Sequence, residues 1–451
     1  MGRRSHTRTL GLWMNGARVG TWRLSPNTPD TLHYDPAWVA SAQGRPLSLS
    51  LPFLPGNAPH RGEKVHAYFE NLLPDSKDIR ERLARRFRTG STDAFALLTE
   101  IGRDCVGALE ILPEDQVSAG IAALQAEPLN EAQVAQVLRN ATTPHAMGLG
   151  GENEEFRVSI AGAQEKTALL WHQGRWCLPH GSTPTTHIFK LPLGLIGGMK
   201  LDMRESVENE WLCARVLSAF GLPVANCQAM QFEDVKALVV ERFDRNWWTP
   251  PGGSECLLRL PQEDLCQAFG KGPEAKYEAE GGPGMDAILD LLDGSLERER
   301  DRRHFFTAQL LFWMLCATDG HAKNFSLFLR PGGRYQLAPL YDVLSIYPVL
   351  GDGPARISAH RARMAMAVRS KNPHWRIRDI LRRHWVALGS RHGIVTEQGQ
   401  PVDALIDDIV DRTPQVVDAV RSQLPPSFPG AVADSILQGL QAAADQLASG
   451  S

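Results

Sequence analysis

Residues 317–324 read Ala-Thr-Asp-Gly-His-Ala-Lys-Asn, and they lie between a long predicted helix and a predicted hairpin. The helix, ERERDRRHFFTAQLLFWMLC (297–316), begins charged and becomes apolar, which is typical of a helix that ends in a core. Asp319 and Asn324 stand five positions apart just after it, and Asp342 follows the second strand of the hairpin. A carboxylate, an amide and a second carboxylate therefore occur in a fixed order around one helix and one hairpin.

Phosphoryl transfer requires these three groups. One carboxylate orients the attacking hydroxyl group and receives its proton, while an amide and a second carboxylate hold Mg²⁺ against the triphosphate of ATP. Protein kinases place them in an Asp-x4-Asn loop and in an Asp beyond the next hairpin. The surrounding letters differ here, because His-Arg-Asp is absent and Tyr341-Asp342-Val343 replaces Asp-Phe-Gly. Since D-x4-N is common by chance, the alternative is a helix-end turn at Asp319 and a cap at Asn324.

The upstream sequence supplies the other parts of a nucleotide site in kinase order. Lys190 lies in the apolar strand HIFKLPL (187–193) and is predicted to contact phosphate; the alternative is an edge-strand lysine that reaches water. Glu210, on the following predicted helix, is its expected ion-pair partner. The small residues of SIAGAQEK (159–166) would let backbone N–H groups approach phosphates, unless they form a plain tight turn. The run VVERF (239–243) is a candidate adenine-binding linker between lobes or simply a buried strand.

The composition is that of an ordinary globular protein. The chain has 451 residues, 43% hydrophobic and 22% charged, and a formal net charge of -3, which excludes a polycation that binds nucleic acid with its whole surface. Its seven cysteines are odd in number and include no C-x-x-C pair, which favours reduced, buried thiols in a cytoplasmic protein over a zinc site or a disulfide framework. No apolar run approaches a membrane span, and the amino terminus lacks the apolar region of a secretory signal.

Periodicity and turn residues predict four segments. Residues 1–113 are expected to form a small α/β unit, with a type I′ hairpin at Asn15-Gly16, a strand at 45–53 and a helix from Asp93 to Gly102. Residues 114–148 are predicted to be a connecting helical segment, 149–250 a strand-rich region with the phosphate loop and Lys190, and 251–451 a mainly helical region with Asp319. The expected fold is α+β, protein-kinase-like and two-lobed.

Longer motifs resemble the HipA kinase family across about residues 10 to 430. Several such motifs in one order are far more specific than D-x4-N alone. In the amino-terminal region they are RPLSLSLP, NLLPDS and LLTEIGRDCVGAL, and the later ones are RVSIAGAQEKTALL (157–170), PTTHIFKLP (184–192), VERFDR (240–245), LRLPQEDLCQAFG (258–270), KYEAEGGPG (276–284), ATDGHAKNFS (317–326) and LAPLYDV (337–343).

The resemblance assigns roles by position. Asp319 resembles the catalytic base, Asn324 and Asp342 resemble the magnesium ligands, and Lys190 resembles the lysine that binds ATP phosphate. Ser159 resembles a serine that these kinases autophosphorylate, which expels the loop and switches the kinase off, since two added negative charges cannot stay beside the ATP phosphates. The residues expected at the catalytic and ATP site are Ala161, Gly162, Ala163, Gln164, Glu165, Lys166, Lys190, Glu241, Arg242, Phe243, Asp319, His321, Lys323, Asn324, Tyr341 and Asp342.

The resemblance also implies a function and partners. It implies an ATP- and Mg²⁺-dependent serine/threonine kinase, the toxin of a toxin–antitoxin pair, with a HipB-like helix-turn-helix antitoxin, operator DNA reached through it, and glutamyl-tRNA synthetase as the best-known family substrate. Two other functions stay open: a catalytically silent kinase-fold regulator, against which the full set of polar residues argues, and a small-molecule kinase, against which Ser159 and the amino-terminal unit argue.

A basic stretch at 356–391 would contact DNA phosphates in such a complex or form a solvated helix face. Its basic residues are Arg356, Arg361, Arg363, Arg369, Lys371, Arg376, Arg378, Arg382, Arg383 and Arg391.

Overall fold

The computed structural model describes residues 7–26, 28–121, 124–142, 164–198 and 200–450. The chain divides into two compact units, each built from several stretches of sequence. The first unit contains Met1–Leu191, Met230–Glu274 and Phe328–Arg334, and the second contains Pro192–Ala229, Ala275–Leu327 and Tyr335–Ser451.

Strands and helices alternate irregularly along the chain. The strands are β1 (Arg8–Met14), β2 (Ala17–Leu24), β3 (Thr31–Tyr34), β4 (His60–Arg61), β5 (Leu109–Pro113), β6 (Ala126–Pro128), β7 (Lys166–His172), β8 (Arg175–Pro179), β9 (His187–Lys190), β10 (Gly194–Ile196), β11 (Leu201–Met203), β12 (Cys227–Phe232), β13 (Val235–Glu241), β14 (Arg245–Trp248), β15 (Cys256–Arg259), β16 (Gln262–Asp264), β17 (Ser326–Arg330), β18 (Arg334–Leu337), β19 (Arg363–Arg369) and β20 (Pro373–Arg376). The helices are α1 (Pro36–Ala40), α2 (Glu63–Glu70), α3 (Lys77–Phe87), α4 (Ala94–Ile101), α5 (Glu131–Thr142), α6 (Ser206–Ala219), α7 (Leu265–Ala268), α8 (Met285–Leu292), α9 (Arg298–Met314), α10 (Arg382–Arg391), α11 (Val402–Ser422) and α12 (Gly430–Ser449).

The amino-terminal part of the first unit is an antiparallel sheet in the order β4-β3-β2-β1-β5, covered by helices. The predicted type I′ hairpin is confirmed, because Asn15 and Gly16 have φ of 47° and 85° and join β1 to β2. The predicted helix at 93–102 is also confirmed as α4, whose N-cap Asp93 accepts the N–H of Ala96. Trp22 forms the centre of the core, since its ring stacks on Phe69 with centroids 3.7 Å apart.

The strand predicted at 45–53 is wrong, since these residues form turns and irregular backbone. The polar groups of this segment hydrogen-bond to side chains and to individual backbone carbonyls, and not to a neighbouring strand. The N–H of Leu49 donates to Glu263 at 2.9 Å, and the hydroxyl of Ser48 donates to the carbonyl of Gln267 at 3.0 Å. The alternation of Leu and Ser therefore matches the sequence pattern of a strand, although the segment does not form backbone hydrogen bonds with a neighbouring strand.

A six-stranded sheet in the order β12-β13-β9-β7-β8-β6 forms the other part of the first unit. The segment 114–148, predicted as a connecting helix, supplies its edge strand β6 as well as α5. Val134 and Leu138 of α5 are buried in one cluster with Leu169 and Phe189 of the sheet. This segment is thus part of the sheet's hydrophobic core.

Buried charges join the two parts of the first unit. Asp104, next to the amino-terminal sheet, lies 2.8 Å from Arg245 Nη2, 3.2 Å from Arg242 Nη1 and 3.3 Å from Arg259 Nε. Asp244 accepts from Arg242 at 2.8 Å, and each of these side chains is at most 4% exposed. Burial opposes the ionisation of Asp104, but the three guanidinium groups outweigh it and hold the pKa of Asp104 well below its usual range.

Glu263 on β16 differs from Asp104, because it is a buried carboxyl group without a cationic partner among the described residues. One of its oxygens accepts the N–H of Leu49, and the other has no hydrogen-bond partner. Burial raises the pKa of Glu263 from 4.5 to about 8, since the hydrogen bonds that favour the ionised form are outweighed. Folding therefore favours the protonated acid.

We expect Glu263→Gln to stabilise the protein increasingly as the pH rises. A raised folded-state pKa means that the contribution of Glu263 to stability is fully present below pH 4.5 and lost as the pH rises through about 8. Gln cannot ionise, so the difference in unfolding free energy should grow over this window, by about 1.4 kcal/mol per pH unit at most. Thermal unfolding of the wild type and of Glu263→Gln from pH 5 to 9 measures this difference. Glu255→Gln, at an exposed position of the same unit, is the control, and a pH-independent difference would contradict the expectation.

The second unit is mainly helical and is organised around α9. Phe305, Phe306, Phe312 and Trp313 of this helix are almost fully buried. Helices α6, α8, α11 and α12 pack with α9 or with one another, and the short pairs β10–β11 and β19–β20 complete the unit. The predicted hairpin after residue 325 is confirmed as β17 and β18, of which Phe328–Arg334 belong to the first unit. Within the described residues, no helix is both long and apolar enough to cross a membrane.

Candidate active site

The end of α9 presents the Asp319 loop. Cys316 has φ of 50°, which turns the chain out of the helix, and the N–H of Ala317 donates to the carbonyl of Phe312 at 2.8 Å. Gly320 packs so closely that a Cβ there would lie 2.4 Å from Phe312 Cδ2. Only glycine fits this position without a shift of the aromatic ring, so the packing of the loop on α9 explains the glycine of the Asp-Gly-His sequence.

Asn324 connects the two candidate acids through their backbones. Its Nδ2 donates to the carbonyl oxygen of Asp319 at 2.7 Å and, in a longer contact of 3.5 Å, to that of Asp342. Asn324 itself is only 6% exposed. The second unit thus brings together three residues that the sequence predicted as one site, although they span 24 positions.

Asp342 has an unusual backbone for a residue with a side chain. Its φ of 60° lies in the left-handed region, which costs most L-residues roughly 1–2 kcal/mol and is best tolerated by Gly, Asn and Asp. The preceding Tyr341 is anchored to the Asp319 loop, since its hydroxyl donates to the carbonyl of Lys323 at 2.8 Å and lies 2.6 Å from the hydroxyl of Ser326. This strained position is held by its neighbours, a pattern that clusters at active sites.

The carboxylate of Asp319 is accessible, with 59% of its side chain exposed. Tyr277 donates its hydroxyl hydrogen bond to Oδ1 of Asp319, and His321 Nε2 lies 3.9 Å from the same oxygen. Burial lowers the pKa of His321; Lys276 acts in the same direction, while Asp319 and Asp342 oppose it. The imidazole is therefore neutral at pH 7, and His321 does not act as a charge partner of Asp319.

Helix α6 is tied to the segment after Asp342. Nδ2 of Asn209 donates to the carbonyl of Ser345 at 2.8 Å, and the N–H of Ser345 donates back to Oδ1 at 2.9 Å. The hydroxyl of Ser345 donates to the carbonyl of Leu315 at the end of α9. Glu210, the predicted partner of Lys190, is the next residue on α6 and is 6% exposed. Sequence reasoning missed Asn209, Ser345 and Tyr277, since no spacing relates them to the Asp-x4-Asn segment.

In the first unit, Lys190 is the last residue of β9 and is 6% exposed. The end of the predicted phosphate loop lies beside it. Gln164 donates to the carbonyl of Leu191 at 2.5 Å, and Lys166 is the register partner of Lys190. Glu165 forms an ion pair with Arg82 of α3. Ser159, Ala161, Gly162 and Ala163 lie outside the described residues.

The three residues predicted for the adenine side have different environments. Glu241 is exposed at the end of β13. Phe243 packs edge-on against Phe328 with centroids 5.7 Å apart. Arg242 donates its N–H to the carbonyl of Thr186, and its guanidinium group belongs to the buried cluster around Asp104. The side chain of Arg242 therefore has a structural role in the first unit.

The residues present fit a magnesium site that is completed by a nucleotide. No group of three or more His, Cys, Asp or Glu in the described parts of the chain could hold a metal ion by itself. Mg²⁺ in phosphotransferases needs only one or two protein ligands, because phosphates and water supply the others. The NH₂ group of Asn324 is engaged by the backbone carbonyls of Asp319 and Asp342, so its side-chain oxygen is the atom that would serve as a metal ligand.

The basic stretch at 356–391 is not one helix face, since it spans β19, β20 and α10. Several members are paired: Arg369 with Glu278, Arg391 with Asp286, and Arg382 with Asp403 and Asp407. Arg363 and Arg376 are direct cross-strand neighbours, so their positive charges repel each other. A role in DNA binding stays a prediction.

A curated protein and a solved structure from Shewanella oneidensis are similar to this chain. The serine/threonine-protein kinase toxin HipA of that organism is 29% identical to this chain, over 75% of this chain and 76% of the length of HipA. The structure of the HipA, HipB and operator DNA complex of that organism contains a chain that matches with a TM-score of 0.76 and 24% identity, covering 98% of this chain and 97% of that one. This structural likeness confirms the predicted α+β fold.

Family models and a further relative agree with that fold. The HipA N-terminal domain model matches residues 10–112, and the HipA-like C-terminal domain model matches residues 158–417, more than half of the chain. A putative kinase of Sinorhizobium fredii, Y4mE, is 34% identical over 79% of this chain and 82% of its own length. On these matches, and with both family domains in the order that the sequence motifs predicted, the chain belongs to the HipA family.

Proposed function

We propose that this chain is an ATP- and Mg²⁺-dependent serine/threonine protein kinase. The observation that carries the proposal is the side chain of Asn324, which hydrogen-bonds the backbones of both Asp319 and Asp342. A protein that had kept the fold without the reaction would have no need to hold an exposed carboxylate, a buried amide and a strained aspartate in one place. The relatives named as kinases add support.

Each residue has a defined role in this proposal. Asp319 accepts the proton of the substrate's hydroxyl group, a task that suits an accessible carboxylate. Asn324 and Asp342 would hold Mg²⁺, which when bound neutralises charge on the transferring phosphoryl group. Lys190 would contact the ATP phosphates, with Glu210 as its partner. His321 stays neutral and lies beside Asp319, with Nε2 3.9 Å from Oδ1.

We further propose that the kinase is the toxin of a toxin–antitoxin pair. The S. oneidensis relative is named a toxin, and its structure was solved with HipB and operator DNA. By this analogy, the partners of the present chain are a HipB-like antitoxin and, through it, operator DNA whose genes the complex represses. The proposed substrate is a translation factor such as glutamyl-tRNA synthetase, and phosphorylation of Ser159 is the proposed means of self-inactivation.

The proposal is tested by incubating dephosphorylated protein with ATP and Mg²⁺ and by measuring intact mass, followed by peptide mapping. We expect one phosphate on Ser159, and we expect Ser159→Ala to remain unmodified there while it phosphorylates added glutamyl-tRNA synthetase for longer than the wild type. Absence of phosphate from both the chain and the added synthetase would favour a catalytically silent regulator that binds antitoxin and DNA.

A further inference from the structure

The segment KYEAEGGPG (276–284) has no role in the proposed reaction, yet it contacts the proposed catalytic base directly. The hydroxyl of Tyr277 donates a hydrogen bond to Oδ1 of Asp319. Tyr277 lies 42 positions before Asp319 and in the same structural unit. Because Asp319 is otherwise largely exposed, this bond is a specific restraint on a carboxylate that solvent alone would leave mobile.

The segment also holds the backbone of the Asp319 loop and the ring of His321. The carbonyl of Lys276 accepts the N–H of Ala322 at 3.1 Å. The ring of Tyr277 packs edge-on against His321, with centroids 4.9 Å apart and an angle of 84° between the planes. The phenol is thus oriented by the aromatic contact, and the residue before it is joined to the Asp319 loop by a main-chain hydrogen bond.

The far side of the segment is fixed by a buried carboxylate. Glu278, whose side chain is 8% exposed, accepts the N–H of Ala367 at 2.7 Å and the Nε of Arg369 at 3.0 Å. The segment is also too crowded for larger residues, since a Cβ on Gly282 would lie 2.2 Å from the carbonyl oxygen of Ala275, and one on Gly284 would lie 2.5 Å from Glu278 Cδ. These contacts make the segment a rigid support for Tyr277.

We propose that Tyr277 is a positioning residue for Asp319: by occupying Oδ1 it directs Oδ2 to accept the proton of the substrate's hydroxyl group. This inference rests on the proposed kinase function. In the transfer, the substrate oxygen forms a bond to the γ-phosphorus of ATP while the bond from that phosphorus to the β–γ bridging oxygen breaks and ADP leaves. The hydroxyl proton of the substrate goes to Oδ2, and Tyr277 keeps its own proton throughout.

The test is Tyr277→Phe, which keeps the ring against His321 and removes only the hydroxyl group. With the transfer of phosphate from ATP to the chain as the assay, we expect the rate constant at saturating ATP to fall about 10- to 100-fold, as for a misplaced catalytic group. The ATP concentration at half-maximal rate should change less than about twofold, because nucleotide binding does not use this hydroxyl. Tyr335→Phe is the matched control, since it removes a hydroxyl that donates to the carbonyl of Leu291 in the same unit.

The outcomes separate the two proposals. An active wild type with an unchanged Tyr277→Phe variant overturns the positioning role alone, and so does a variant that needs more ATP at an unchanged maximal rate. A faster variant would show that the phenol occupies the place of the substrate's hydroxyl group, which also overturns the role. An inactive wild type overturns the kinase function and the positioning role together.

Discussion

Asp319→Asn is expected to lower the rate of phosphate transfer about 10²- to 10⁴-fold, which is the usual contribution of a general base. The amide has the shape of the carboxylate and its oxygen can still accept the hydroxyl of Tyr277, so the loop should keep its structure. The amide of Asn cannot, however, accept a proton at neutral pH. Since 59% of the side chain of Asp319 is exposed, the substitution should not change the thermal midpoint of unfolding by more than a surface substitution does.

Asp418→Asn serves as the matched control, because it makes the same change at an exposed position of α11. Transfer of phosphate and thermal unfolding are measured on both variants and on the wild type. An Asp319→Asn protein that unfolds at a much lower temperature would give Asp319 the structural role of a helix-end turn. A fully active, stable variant would show that the proton is accepted elsewhere.

The predicted site residues that the structure brings together are those that lie close to one another in the chain. Asp319 and Asn324 are related by a spacing that the loop geometry imposes, and Asp342 follows a hairpin that Arg330-Pro331-Gly332-Gly333 made recognisable. Tyr277 could not be found in this way. Its contact with Asp319 spans 42 positions and depends on how a glycine-rich segment packs in the second unit, which no local pattern encodes.

The fold shows the same division between local and distant determinants. The Asn15-Gly16 turn was predictable, because two successive positive φ angles are a property of those residue types. The alternation at 45–53 was misleading, because a buried carboxyl group and a helical carbonyl, both more than 200 positions away, satisfy its polar groups. Arg242 illustrates the same limit, since nothing in VERFDR distinguishes an arginine near a nucleotide from one in a buried ion cluster.

The second large effect is expected in the buried ion cluster around Asp104. The substitution Asp104→Ala should lower the free energy of unfolding by about 3–5 kcal/mol. Asp104 is the acceptor shared by Arg242, Arg245 and Arg259, and it also accepts the N–H and hydroxyl of Thr185 at 3.0 and 2.7 Å. Its removal leaves three guanidinium groups, each with a side chain 2% exposed, opposed by Asp244 and the more distant Glu110. A buried charge that loses its partner retains the full cost of desolvation, so the loss exceeds that of an ordinary hydrogen bond.

Urea unfolding at neutral pH measures this effect, with Asp115→Ala, exposed in the same unit, as the control. Because the pKa of Asp104 is lowered by folding, its stabilising contribution is present above the usual range of an aspartate and is lost as the pH falls below it. The gap between Asp104→Ala and the wild type should therefore persist from pH 6 to 8 and close only in acid. Equal urea midpoints for the two variants at pH 7 would mean that water enters the cluster and solvates the arginines, and the join between the two parts of the first unit would then rest on apolar packing alone.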